Sequence, residues 1–232
     1  MHFAPDRAGR LIITADDWGY SLRYNAGIEE VARAGAVDAV SAMVLRQACD
    51  PGPLHECEVA IGLHVEAPER TGRRELLDAP RRQAERFERK FGAPPAHIDG
   101  HHHCHANLPL ATAVEDLAEE LDVPLRAVSE DHRFRLDERG IRSAHRLVGR
   151  IDPGEPALPR VIAEALAEGA LPWGATEWMV HPGHPDPESG SAFDEAREED
   201  LELLLRLGDD ELLAASRASH GTALTAPAIG SD

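Results

Sequence analysis

The stretch RLIITADD, residues 10–17, sets a short β-branched apolar run directly against two aspartates. A run this brief, ended abruptly by charge, reads as a buried strand with a polar tip. The next segment, residues 22–34, carries apolar side chains at helical spacing, with Ser21 placed to cap its start and Gly35 to end it. Working outward, strands are predicted at 37–45 and 59–65, and another beginning at His97 and Ile98. Further strands are predicted at 124–128 and 176–180. Helices are predicted at 81–91, 109–121, 158–168 and 194–207, and a last helix near 209–218 precedes a short strand at 222–225. Strands of near-continuous apolar character alternating with helices imply an α/β fold with mostly parallel strands. The charged, Pro- and Gly-containing segments 68–80 and 130–156 read as surface loops that could wall a pocket.

At 232 residues and 42% hydrophobic content, the chain can bury a full core, and residues 1–232 are read as one domain. A net charge of −18 argues against nucleic acid and anionic membrane as partners, because both need a basic patch. The opening residues hold no apolar stretch of signal-peptide length and no window approaches a membrane span, so the expectation is a soluble, cytoplasmic protein. Cys49, Cys57 and Cys104 are odd in number and irregularly spaced, which fits a reducing compartment better than a disulfide framework.

Asp16 and Asp17, His64, the run from His101 to His105, and His181 all fall at the C-terminal ends of separate predicted strands. In a parallel barrel those ends converge on one face, where barrel enzymes keep their chemistry. A buried strand terminus gains nothing from an ionisable group unless that group has a partner. A divalent metal drawing ligands from several strands supplies one. Asp, His and His with positions left open is a common composition for a metal that acts on substrate. Adjacent Asp16 and Asp17 are expected to point different ways, one to the metal and the other to the attacking water. In HHHCH, a strand would place His101, His103 and His105 together, and a helix would pair His101 with His105. Spacing leaves both open. Cys104 reads as a small buried filler beside this run. A site of this composition would serve a metal-dependent hydrolase, or a domain that only binds.

These residues also resemble a known family. TADDWGYS at 14–21, Asn25 with Gly27 and Ile28, GLH at 62–64, HIDGHHHCH at 97–105, EWMVHPG at 177–183 and AREEDLELL at 196–204 are similar, in order, to the YdjC-like carbohydrate deacetylases. The resemblance implies an irregular, TIM-barrel-like (β/α) barrel. It also implies a divalent metal, Mg2+ or Zn2+ foremost, used to remove acetyl groups from N-acetylated sugars. Carried over by motif, Asp17, His64 and His101 would be the metal ligands and Asp16 the general base. Arg126 would orient a carboxylate. His181 would be the general acid, with His105 as competitor, while Glu177 and Arg197 would brace the site. Trp18 and Tyr20 depart from the Phe and Leu usual in the family, and the stretch from His64 to His101 is shorter than usual, so the metal chemistry carries over more firmly than the substrate. The expected partner is a small N-acetylated sugar; a homodimer is compatible with the sequence, which leaves the oligomeric state open.

Overall fold

A computed structural model describes residues 9–68, 72–218 and 220. Six strands form one parallel sheet, β1 (Arg10–Trp18), β2 (Ala39–Ala42), β3 (Ala60–Val65), β4 (Ile98–Gly100), β5 (Arg146–Gly149) and β6 (Ala175–Val180), in the order β4-β3-β2-β1-β6-β5. The sheet curls into a half-barrel. Its two edges approach through residues 124–126: Leu125 bridges Ile98 of β4, and its N–H donates to the Arg142 carbonyl, just ahead of β5. The predicted strand at 124–128 is thus a single bridge, since its chain turns away after Arg126.

The helices α1 (Leu22–Arg33), α2 (Arg73–Phe91), α3 (Leu110–Leu121), α4 (Glu130–Glu138), α5 (Arg160–Glu168), α6 (Asp194–Leu207) and α7 (Glu211–Ser216) flank the sheet. Central β1 is buried along nearly its whole length, which accounts for the unbroken apolar run. Ile28 and Val31 of α1, Phe87 of α2, Val114 of α3 and Leu204 of α6 pack with Trp18 and Trp178 in one core. Ser21 caps α1, its Oγ accepting from the Tyr24 N–H. Among the described residues no helix is long and apolar enough to cross a membrane.

The two segments read as loops need correction. The segment 68–80 is not all loop, because α2 starts at Arg73 and runs through Pro80. Ala79, Pro80, Gln83, Ala84 and Phe87 bury one face of it, and that packing outweighs the backbone hydrogen bond proline removes. The segment 130–156 contains α4 and β5; α4 buries only His132 and Leu136 and β5 is a half-buried edge, so neither shows a strong apolar period. The strand expected at 222–225 lies outside the described residues.

Gly27 gives a direct test of the packing that seats the HPG segment. A Cβ there would come within 2.6 Å of the Gly183 Cα, so α1 and the chain after β6 touch backbone to backbone. In an open helix Gly→Ala gains about 1 kcal/mol. Gly27→Ala is expected to reverse that sign, since overpacking costs about 1–3 kcal/mol, and the urea midpoint should fall.

Candidate active site and metal centre

The strand ends do converge. Asp16, Asp17, His64, His101, His102, His103, His181 and Arg197 line one cavity of about 170 Å³, with Arg150, Met179 and Phe193 on its walls. Both aspartates reach it because β1 is irregular at its tip: its register with β2 shifts between Ala15 and Trp18, and Asp17 takes a left-handed φ of 73°. The strand alternation that would have sent them to opposite faces is broken there. Asn25 locks the turn, accepting from the Gly19 N–H at 2.7 Å and donating to the Ala48 carbonyl at 2.8 Å.

Asp17 Oδ1 lies 3.3 Å from His64 Nε2 and 2.9 Å from His101 Nδ1, and the three side chains offer ligand atoms within 4.8 Å of one another. Separations of this size suit a shared cation with bonds of about 2.0–2.2 Å. Asp16, His64 and Asp99 form a second such group. Its carboxylates are already engaged by Arg126, so the donor set of Asp17, His64 and His101 fits a divalent ion better. On its other oxygen Asp17 accepts from Arg197 Nη2 at 2.5 Å, and the Arg197 guanidinium lies 3.8 Å over the Tyr24 ring. Burial alone would raise the Asp17 carboxyl; Arg197 and the two histidines override it and hold the group well below its ordinary value.

The histidine run takes neither conformation left open by its spacing. Residues His101–Ala106 form a tight 3₁₀ segment in which His102 and His103 adopt left-handed φ of 51° and 54°. That turn aims three successive imidazoles into the cavity and turns His105 away. His105 is fully buried with its Nε2 3.0 Å from the Arg126 carbonyl, and it does not line the cavity. Cys104 is a filler: its thiol donates to the Val65 carbonyl, and burial pushes its pKa up.

Behind the cavity, Arg126 donates to Asp16 through Nη1 at 2.6 Å and Nη2 at 2.8 Å, to Glu177 through Nε at 2.9 Å, and to Asp99 through Nη2 at 2.8 Å. All four residues are 3% exposed or less, which makes every one of these charges dependent on the others. Burial pushes the Asp16 carboxyl up, but Arg126 and His64 prevail and keep it below its ordinary value. Glu177 is depressed in the same way, Arg126 outweighing burial. His181 sits at the end of β6 with its ring 5.0 Å from that of Phe193 and its backbone N–H donated to Asp200 at 2.9 Å. Burial lowers its imidazole to about 4, against the opposing pull of Asp17 and Asp16.

Sequence reasoning brought Asp16, Asp17, His64, His101, Arg126 and His181 to one place, with Glu177 and Arg197 in support. It passed over Ser41, Asp99, Arg150 and Asp200, none of which has a distinctive spacing. Of these, Asp99 alone adjoins a recognisable chemical cluster, two residues before His101 in HIDGH.

The chain belongs to the YdjC-like protein family, whose profile matches residues 10–215. It is 29% identical over 252 residues to a carbohydrate deacetylase of Geobacillus stearothermophilus, covering 92% of this chain and 94% of that one. It is 28% identical over 227 residues to a chitooligosaccharide deacetylase of Klebsiella pneumoniae, covering 84% and 90%. In fold it is similar to a candidate cellobiose-phosphate cleavage protein from Enterococcus faecalis V583, with a TM-score of 0.77 at 20% identity over 95% of this chain and all of that one. A family 4 carbohydrate esterase from Streptomyces lividans shares the fold more distantly, with a TM-score of 0.50 at 12% identity over 94% of this chain and 98% of that one.

Two outcomes follow from the buried charges. Arg126→Met strands three carboxylates without their cation and should cost about 3–5 kcal/mol at pH 7, with a smaller loss at pH 5, read by urea unfolding at both. In the unaltered protein, Asp16, Asp17 and Glu177 have folded pKa values below their unfolded values of about 4. Their stabilisation is present above that pH and lost as pH falls through the folded values, so the unfolding midpoint should drop steeply below pH 4.

Proposed function

We propose that this protein is a metal-dependent carbohydrate deacetylase that hydrolyses the acetamide of an N-acetylated sugar or short oligosaccharide. The observation that carries this reading is that one cavity is lined by a three-residue metal-type donor set, a carboxylate kept ionised by a bidentate arginine, and the further histidine His181. The named relatives, carbohydrate and chitooligosaccharide deacetylases, support the choice of an amide on a sugar.

Asp17, His64 and His101 would hold the ion. A divalent cation there supplies a Lewis acid for an acyl oxygen and for water, whose pKa such ions bring from about 16 to about 7. Asp16 is the base. Arg126 takes both of its oxygens, which keeps the carboxylate charged and fixes its direction, and its proximity to His64 sets it beside the donor set. Asp16 removes a proton from the attacking water, and the water oxygen bonds to the acetyl carbon. When the C–N bond breaks, the departing amine needs a proton. His181 is neutral in the free protein at pH 7, so the proton it delivers is the one Asp16 has taken up, as both side chains face the same cavity. His105 is not used, because its ring is committed to the Arg126 carbonyl. The small cavity accepts the acetamido end of the sugar, and the remainder lies at the mouth.

Acetate release from a panel running from N-acetylglucosamine to short chitooligosaccharides, with added Zn2+, Mg2+, Mn2+ or Co2+, tests this reading. Asp16→Asn should abolish release while the protein still binds metal, whereas Asp17→Asn should lose the metal. His181→Ala should lower kcat by about 10²- to 10⁴-fold. No release from any N-acetylated sugar by metal-loaded protein would overturn the sugar assignment, and an unchanged metal content in Asp17→Asn would overturn the ligand set.

A further inference from the structure

Asp99 stands where the two halves of the site meet. It is fully buried at the centre of three-residue β4. One oxygen, Oδ1, lies 2.7 Å from His64 Nδ1. The other, Oδ2, accepts from Ser41 Oγ at 2.7 Å and from Arg126 Nη2 at 2.8 Å. His64 belongs to the metal-type donor set, and Arg126 holds the base. A metal requires His64 to be neutral, and with Nδ1 donating to Asp99 the one remaining proton stays on that nitrogen, so Nε2, the atom facing Asp17, becomes the ligand. The same Arg126 nitrogen that reaches Asp99 also reaches Asp16 Oδ1, at 2.8 Å.

We propose that Asp99 is a positioning residue that couples metal binding to base orientation, one oxygen setting the His64 tautomer and the other the Arg126 guanidinium. It touches neither substrate nor reacting atoms. The proposal rests on the ligand set and base given above and adds a role for a side chain outside both.

The two oxygens can be separated by substitution. In Asp99→Asn the amide has one accepting and one donating end. Two donors, Ser41 and Arg126, face the Oδ2 position and one, His64, faces Oδ1, so the amide oxygen turns to Arg126 and the NH2 to His64. That contact forces the His64 proton onto Nε2 and takes away the ligand nitrogen. Asp99→Ala removes both supports.

The test is Zn2+ titration of the purified protein by calorimetry, together with acetate release at saturating Zn2+. Asp99→Asn is expected to bind Zn2+ about 10- to 100-fold more weakly yet recover most of the unaltered kcat at saturation. Asp99→Ala is expected to lose a similar affinity and also to keep a kcat at least tenfold low at saturation. A residue that served packing alone would lower thermal stability in both variants without this split. Zn2+ affinity in Asp99→Asn within about twofold of the unaltered protein would overturn the inference, as would full recovery of kcat in Asp99→Ala. If Asp99→Asn does not fold, Ser41→Ala, which removes the hydroxyl that lies on Asp99 Oδ2 and on His97 Nε2, should lower kcat at saturating Zn2+ while leaving Zn2+ affinity within about twofold, and an unchanged kcat there overturns the inference as well. The titration uses no sugar, so it is independent of the substrate assignment. Failure of the unaltered protein to bind Zn2+ would overturn the ligand set and this inference together.

Discussion

One guanidinium, buried beneath the cavity, meets three carboxylates from three different strands. Arg126 binds Asp16 of β1, Asp99 of β4 and Glu177 of β6, and none of the four is more than 3% exposed. A carboxylate taken out of water alone would give up its charge. Here Asp16 and Glu177 keep it because Arg126 offers several N–H groups in one rigid plane. The arrangement needs the curled sheet, since only curvature brings edge strand β4 round to the paired strands β1 and β6 at a single side chain. The curl in turn delivers Arg126, through the single bridge at Leu125 that spans the gap between the edges.

The other half of the site depends on backbone conformation. Asp17 and the histidines at 102 and 103 sit in the left-handed region, which most side chains avoid and which Asp and His enter more readily than others. At Asp17 this turns a second successive carboxylate into the cavity, and at the histidine run it presents three imidazoles in sequence. Asn25 against Gly19 and Ala48, and Arg197 on Asp17, hold the first turn, while the Cys104 thiol on the Val65 carbonyl and the His105 ring at the Arg126 carbonyl anchor the second. The metal-type donor set is therefore pre-arranged by groups outside the set itself.

Much of this was legible in the residues. Buried β1 announced itself as an apolar run because both of its faces are covered, and the helices with clear apolar stripes, α1, α3, α5 and α6, lie within about two residues of the periodicity that marked them. Elements that bury little, such as α4 and the edge strand β5, leave no period to detect. Of the site, Asp16, Asp17, His64, the histidine run and His181 were legible because an ionisable group at the end of an apolar strand is costly to bury unless something pairs with it, whereas Arg126 and the choice of His101 within the run came from the family resemblance. Ser41, Asp99 and Asp200 were not, since each acts through a partner distant in the chain.

The sequence by itself determined which chemical groups stand at the strand ends, because burial of a strand constrains every position along it and a charge at its tip stands out. It also determined the YdjC-like family, through motifs spread over residues 10–215. Only the tertiary structure decided which histidine faces the cavity and which turns to the Arg126 carbonyl, and which oxygen of each carboxylate meets which cation. Those choices depend on local backbone turns and on contacts between residues as far apart as Asp17 and Arg197, separated by 180 positions, and no local pattern encodes a contact across that distance.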